Sequence, residues 1–393
     1  MQYLSVLALG LGAASLAAAA PSPSANDVNV FAGKNFYANK IYAKKVDTTI
    51  KNFLKKGDLL NAARARTVKR TGTFAWISKN ADIADVPGLI NDALLTQLIT
   101  RKKQVVEIVV YNLPDRDCSA KASDGELKLA DGGVKKYEEF IDKVAAQLTS
   151  KKAQQLDFAV ILEPDSLGNL ITNMGIEKCA GAAEAYKNGV AYAIKKLQAK
   201  NIALYIDATH GGWLGWNDNL RPSAELYAEV VKLAGPKAKV RGLATNVSNY
   251  GQFIAPVREN YTEWSNSWDE KNYANTLAPH LEAVGFPAHF IVDVGRSGKA
   301  GIRQEWGFWC NLRGAGFGPR PTADTQDPLV DALVWAKPGG ESDGTSDPSS
   351  ARFDEMCAGV NAHVPAPEAG EWFDEYISAL IKNAEPPIKP SWI

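Results

Sequence analysis

The sequence predicts an α/β fold: a single domain built on a closed or nearly closed barrel of parallel strands. Three observations carry that expectation. Short apolar runs alternate with helical patterns from Thr73 onward, and the clearest runs are unbroken and partly β-branched, as in strands buried on both faces. No Ser/Thr/Pro-rich linker, second cysteine-rich module or internal repeat divides the chain.

From the amino terminus, residues 4–20 are apolar, alanine-rich and followed by Pro21-Ser22-Pro23, the pattern of a secretory signal peptide, although no Lys or Arg precedes them. The segment is at the short limit for crossing a bilayer. We expect residues 1–20 to be removed and the product to be secreted and extracellular, with no membrane span. Residues 21–72 read as an N-terminal arm with helical stretches, packed on the main domain at 73–393. Lysines crowd 40–56, the sign of a solvated face.

Seven strand runs follow, at 74–77, 105–110, 158–162, 202–206, 240–244, 289–294 and 333–335. Helical patterns at 88–100, 134–148, 179–199, 223–233 and 271–284 separate most of them.

Composition narrows the function. At 393 residues and 46% hydrophobic content the chain can bury a large core. Lys plus Arg equals Asp plus Glu, 44 each, so no net charge draws nucleic acid or an anionic membrane. Cys118, Cys179, Cys310 and Cys357 suit two disulfides in an exported protein, and three pairings are possible. Their spacing does not suggest zinc, and we expect no metal or cofactor. Asn246-Val247-Ser248 and Asn260-Tyr261-Thr262 are glycosylation sequons, the first close to a strand end where access is poor.

The chemistry gathers after the strands. The run at 158–162 stops at Glu163-Pro164 and delivers Asp165 to the strand mouth, where desolvation favours the protonated form and suits a general acid. The plainer reading makes Asp165 the cap of the next helix. A second run, 105–110, leads into Tyr111-Asn112-Leu113-Pro114-Asp115-Arg116-Asp117-Cys118. Neighbouring parallel strands would bring both Pro-Asp turns to one carboxyl edge, the usual place for an active site. Trp76, Tyr111, Asp207, His210, Trp213, Trp216, Asn249, Arg296, Trp309, Lys337, Glu341 and Asp343 also sit at or beyond strand ends. Aromatic faces stack on the C–H faces of sugar rings while carboxylates and amides bind hydroxyls, so the set favours a saccharide cleft, though any single Trp could equally fill the core. Gly314-Ala315-Gly316-Phe317-Gly318 does not satisfy the dinucleotide pattern, and neither G-x-S-x-G nor H-E-x-x-H occurs.

Four motifs in order, Tyr111 through Cys118, Glu163-Pro164-Asp165-Ser166-Leu167, Asp207-Ala208-Thr209-His210-Gly211-Gly212-Trp213-Leu214-Gly215-Trp216 and Lys337-Pro338-Gly339-Gly340-Glu341-Ser342-Asp343-Gly344, closely resemble glycoside hydrolase family 6, the fungal cellobiohydrolase II type. Phe31-Ala32-Gly33-Lys34 and Tyr37-Ala38-Asn39 extend the likeness over most of the chain. The resemblance implies a distorted seven-stranded parallel β/α barrel, with 73–393 as catalytic domain, and inverting hydrolysis of β-1,4-glucan. It makes Asp165 the proton donor, Asp117 the carboxylate governing its protonation, and Asp343 the base, with a water relay to a more distant group as the alternative. Inversion requires about 6.5–9.5 Å between acid and base.

The substrate contacts it implies are Trp76, Ser78, Tyr111, Ser123, His210, Trp213, Trp216, Asn249, Trp309, Lys337 and Glu341. It pairs Cys118 with Cys179 and Cys310 with Cys357. Asn112 and Ser78 stand where the family often has acidic residues, Ser342 where some relatives have Cys, and the cellulose-binding module is missing. The expectation is a monomeric exo-acting enzyme that releases cellobiose from non-reducing ends of cellulose or cello-oligosaccharides, because the loop segments 119–133 and 337–357 look full length. The alternatives are an endo-acting glucanase and a non-catalytic glucan-binding protein.

Overall fold

The computed structural model describes residues 24–392. The expected leader at 1–20 lies outside the described residues. Eight strands form one sheet: β1 (Asn35–Phe36), β2 (Ala75–Ile77), β3 (Gln104–Val110), β4 (Asp157–Leu162), β5 (Ile202–Asp207), β6 (Gly242–Thr245), β7 (Phe290–Asp293) and β8 (Val330–Val334). All the pairings are parallel. β1 pairs with Gln104 and Val105, and β2 with Ile108 to Val110, so the two short strands share one position beside β3. The sheet therefore has seven positions in a curled barrel. Across its open side Phe74 N–H donates to Trp335 O at 3.2 Å, Trp76 Nε1–H to Ala336 O at 2.8 Å and Asn29 Nδ2–H to Asp331 O at 2.8 Å.

Alternation along each strand divides the apolar residues between two cores. Val105, Val109, Ile161, Tyr205, Ile291 and Val334 fill the barrel interior. Val106, Ile108, Val160, Leu204, Leu243 and Val292 face the surrounding helices. That double burial explains why the central runs show no polar alternation in sequence.

The helices are α1 (Lys40–Lys55), α2 (Leu59–Lys69), α3 (Val86–Thr100), α4 (Gly133–Leu148), α5 (Ser166–Thr172), α6 (Glu177–Lys196), α7 (Gly211–Leu214), α8 (Asn217–Ala234), α9 (Glu270–Ala283) and α10 (Asp374–Lys382). Asn39 caps α1 by accepting from Tyr42 N–H at 2.8 Å. The α1 stripe Tyr42, Val46, Thr49, Ile50 and Phe53 is buried, and Lys44, Lys51 and Lys55 face solvent. Residues 21–72 are thus woven into the barrel unit where they are described. β1 joins the sheet, the Tyr42 hydroxyl donates to Gly339 O at 2.8 Å, and Thr49 and Asn52 donate to Asp374 of α10.

Register fixes where the strands deliver their turns. Val110 lies opposite Leu162, and Leu162 opposite Ile206, so the chains leaving β3, β4 and β5 emerge at one level. Disulfides Cys118–Cys179 and Cys310–Cys357 tie down loops at that edge. Asn246 is fully buried and its Nδ2 donates to Gly251 O and Asp293 O, which leaves no room for a glycan, while Asn260 is exposed. Among the described residues no helix is long and apolar enough to cross a membrane.

Candidate active site

The turns after β3 and β4 are held in a conformation that side chains other than glycine rarely adopt. Asp115, Asp117, Glu163 and Asp165 have φ of 52°, 60°, 51° and 65°. Asp165 precedes α5, yet its side chain makes no capping hydrogen bond, which removes the plainer reading of this residue. Glu163 straps the two turns together. Its carboxylate accepts from Asn112 N–H at 3.1 Å, Leu113 N–H at 3.2 Å and the Tyr137 hydroxyl at 2.8 Å, while burial lifts its pKa to about 7.

A cavity of about 430 Å³ opens over these turns, in the range of small-ligand sites. Asp117, Asp165 and Asp343 line it together with Trp76, Tyr111, Ser123, His210, Trp213, Asn249, Trp309 and Lys337. Ser78 and Glu341 line an adjoining cavity that shares Trp76, Tyr111, Ser123 and Lys337 with the first. Ser78 donates N–H and Oγ–H to Asp82, and Glu341 pairs with Lys45 Nζ of α1 at 2.6 Å. Trp216 is outside both linings, 37% exposed, with its Nε1 donating to Gly212 O at 3.0 Å.

The three carboxyl groups sit in contrasting fields. Burial raises the pKa of Asp165 well above its ordinary value, and the nearby charges of Asp207 and Asp117 push it the same way, so it stays protonated. Burial also raises Asp117, but Ser123 N–H, which donates to its Oδ2 at 2.7 Å, and the positive charges of Lys178 and Arg116 pull back. Asp343 is different. Burial works to raise it, and Arg296 and Lys337 overcome that, holding it below the usual carboxylate range. Its Oδ2 accepts from Arg296 Nη1 at 2.6 Å, Asn311 N–H at 2.8 Å and the Tyr250 hydroxyl at 3.0 Å, while Lys337 Nζ lies 3.4 Å from Oδ1. A carboxylate paired with two cations is a stable anion and a poor proton acceptor.

Neutral groups complete the lining. Burial, with a smaller push from Arg303, lowers the His210 pKa to about 3, so the ring is uncharged; its Nδ1 accepts from Gly212 N–H at 3.1 Å. Asn249 Oδ1 accepts from Arg303 Nη1 at 2.9 Å. Trp213 donates Nε1–H to Thr172 Oγ1 at 2.7 Å, which fixes the plane of its ring. Lys337 Nζ lies 5.6 Å from the Trp76 ring centre. The loops meet overhead: Lys121 N–H donates to Asp354 Oδ2 at 3.2 Å, and Ala122 packs against the cluster of Cys310, Cys357 and Trp309.

Two residues outside the expected catalytic and substrate-contact sets also belong to this site. Asp207, at the end of β5, accepts from Asp165 N–H at 2.8 Å and Thr209 N–H at 3.1 Å; burial lifts its pKa to about 7, and its Oδ1 has no partner. Its place at the end of the strand beside β4 was the available signal. Trp306 lines the cavity, and Gly212 is glycine because a Cβ there would lie 2.4 Å from the Trp306 ring. Nothing in the local pattern around Trp306 marked it.

Comparison with known proteins agrees with this geometry. The model of Glycosyl hydrolases family 6 matches residues 31–384. A 1,4-beta-D-glucan cellobiohydrolase, CEL6B, of Podospora anserina is 50% identical over 378 residues, covering 95% of this chain and 86% of the relative. Exoglucanase 3 of Agaricus bisporus is 47% identical over 361 residues, 91% of this chain and 79% of the relative. Among solved structures, CcCel6C, a glycoside hydrolase family 6 enzyme from Coprinopsis cinerea, superposes with a TM-score of 0.91 at 57% identity, over 93% of this chain and 100% of that one. Cellobiohydrolase II (Cel6A) from Humicola insolens in complex with glucose and cellotetraose gives 0.87 at 43% identity, over 92% of this chain and all of the other. With a family match over most of its length, relatives at this identity and a barrel of the same shape, the chain belongs to glycosyl hydrolases family 6.

Proposed function

We propose that this protein is a cellobiohydrolase that cleaves β-1,4-glucosidic bonds of cellulose and cello-oligosaccharides with inversion and releases cellobiose from non-reducing ends. The observation that carries the reading is a protonated Asp165 and an ionised Asp343 facing one roofed cavity lined by Trp76, Trp213 and Trp309. One carboxyl group held neutral by burial and another held ionised by its cations supply the proton donor and the fixed negative charge that glycosidic cleavage requires.

In this reading a glucan chain lies across the tryptophan faces, with its hydroxyls on Asn249, Lys337 and the neutral His210. Asp165 donates its proton to the leaving glycosidic oxygen. A water attacks from the opposite face of the ring. Asp343 stabilises positive charge on the sugar as a fixed anion. Because Arg296 and Lys337 hold it ionised, the proton from the attacking water passes instead toward Asp117, along a path that Ser123 borders. Asp207 acts through Asp165, keeping it neutral until it donates. Glu341 and Ser78 lie one step further along, in the adjoining cavity, and Trp216 at the rim.

Exo action is supported by the closure of the 119–133 segment onto 337–357. A single chain supplies the whole cavity, which accords with a monomer, and secretion after removal of residues 1–20 accords with the two disulfides. Anomer-resolved digestion of cellotetraose tests the proposal: α-cellobiose should appear first, and β-cellobiose first would refute inversion. A rapid viscosity drop on a soluble cellulose derivative would point to endo action, and binding without turnover to a glucan-binding protein.

A further inference from the structure

Trp264 is 84% exposed, more than any other large apolar side chain among the described residues. A lone surface tryptophan is ordinary, but this one does not stand alone. It belongs to the loop between β6 and α9, where Ile254 and Val257 are also more than half exposed. The loop is rigid under it: Ser265 N–H donates to Thr262 O at 3.0 Å, Ser267 N–H to Ser265 Oγ at 3.1 Å, and Ser265 and Ser267 are buried.

The loop is also fused to the segment that carries the candidate cleft's outer tryptophans. Gly211 and Gly215 pack so closely on Ser267 that a Cβ on either would lie 2.5 Å from it, and Asn266 Nδ2 donates to Asn217 Oδ1 at 3.4 Å, one residue past Trp216. Rings form a connected path: Trp306 in the cavity lining meets Trp216 at 6.0 Å and Tyr261 at 5.9 Å, and Tyr261 lies three residues before Trp264. A fixed backbone thus holds an indole out in water, three residues beyond the last ring of an aromatic series that starts inside the cavity.

We propose that Trp264 is an outer contact for a β-1,4-glucan chain, stacking on the C–H face of a glucosyl unit that is still outside the cavity and so aiding capture of insoluble cellulose. The idea rests on the function proposed above. A series of rings that runs from the cavity lining to Tyr261, on the loop that carries Trp264, is what selects a polysaccharide as the occupant, since a chain bound inside must leave along its rim.

The test compares wild type with Trp264→Ala and Trp264→Tyr on cellotetraose and on insoluble cellulose, following turnover and adsorption at sub-saturating load. Trp264→Ala should lower adsorption and initial rate on insoluble cellulose about 3- to 10-fold, the range for one aromatic contact, with kcat/KM on cellotetraose unchanged and most of the loss restored in Trp264→Tyr. Wild-type behaviour of Trp264→Ala on cellulose would overturn the proposal, as would an equal loss on cellotetraose. A third contrary result involves the exposed sequon: if the loss vanishes in an Asn260→Gln background, the ring's partner is the glycan at Asn260. Absence of cellotetraose hydrolysis by the wild type would instead refute the function proposed above.

Discussion

Glu270 permits a prediction whose magnitude follows from the structure. It opens α9, is 1% exposed, and its Oε1 accepts from Gly211 N–H at 3.1 Å, anchoring the segment that carries Trp213. Burial lifts its pKa from 4.5 to about 8 against the pull of that N–H. The folded value exceeds the unfolded one, so the unfolded chain releases this proton first as pH rises. Stability from the neutral acid is therefore complete below about pH 4.5 and declines up to about pH 8. At about 1.4 kcal/mol per unit, a shift from 4.5 to about 8 amounts to ~5 kcal/mol, of which about 3–4 kcal/mol falls between pH 4.5 and 7.5. Glu270→Gln keeps an acceptor for Gly211 and cannot ionise. Urea unfolding at pH 4.5 and 7.5 should show wild type losing about 3–4 kcal/mol relative to the variant over that interval. A constant difference between the two proteins would refute the argument.

Other perturbations follow from the same fields. Asp207→Asn removes a charge beside Asp165 while keeping an acceptor for its N–H, so the alkaline limb of the kcat/KM profile should move to lower pH; an unmoved limb would show that Asp207 does not govern the donor. Asp343→Ala leaves Arg296 buried without its counter-charge and should cost about 3–5 kcal/mol in chemical unfolding, whereas Arg296→Met with Asp343→Leu should recover part of that loss. Replacing Cys310 and Cys357 by Ser opens a bond spanning 47 residues, worth about 4 kcal/mol by loop entropy, and loosens the roof; faster viscosity loss on soluble cellulose derivatives should accompany the lower Tm.

Much of the architecture was legible because a barrel of parallel strands buries both faces of its central members. The runs at 105–110, 158–162 and 202–206 differ from β3, β4 and β5 by a residue at the ends. β1 was not legible, since two residues carry no period and its pairing depends on a strand about seventy positions away. The 21–72 segment read as an arm because its lysines dominate the pattern; the buried stripe from Tyr42 to Phe53 was present at helical spacing but outweighed. The helix expected at 223–233 begins at Asn217, with Pro222 inside it; the proline reads as a boundary in the sequence because it removes an intrahelical hydrogen bond.

The site divides the same way. Asp165 and Asp117 could be found because each follows a strand through a Pro-Asp turn, and the register of β3 on β4 needs only adjacency to bring those turns to one edge. The state of Asp343 could not, because Tyr250 reaches it from the loop after β6, Arg296 and Asn311 from the long connection between β7 and β8, and Lys337 from the turn after β8. Motif matching can suggest a base; only the assembled charges reveal a fixed anion.

The role of Asp165 as a neutral proton donor is tested most directly by comparing Asp165→Ala with wild type on two substrates: cellotetraose, and a cellobioside whose acidic phenol leaves without protonation. Asp165→Ala should lose about 10²- to 10⁴-fold on cellotetraose and far less on the activated substrate. Equal losses on both, or none on cellotetraose, would contradict that role.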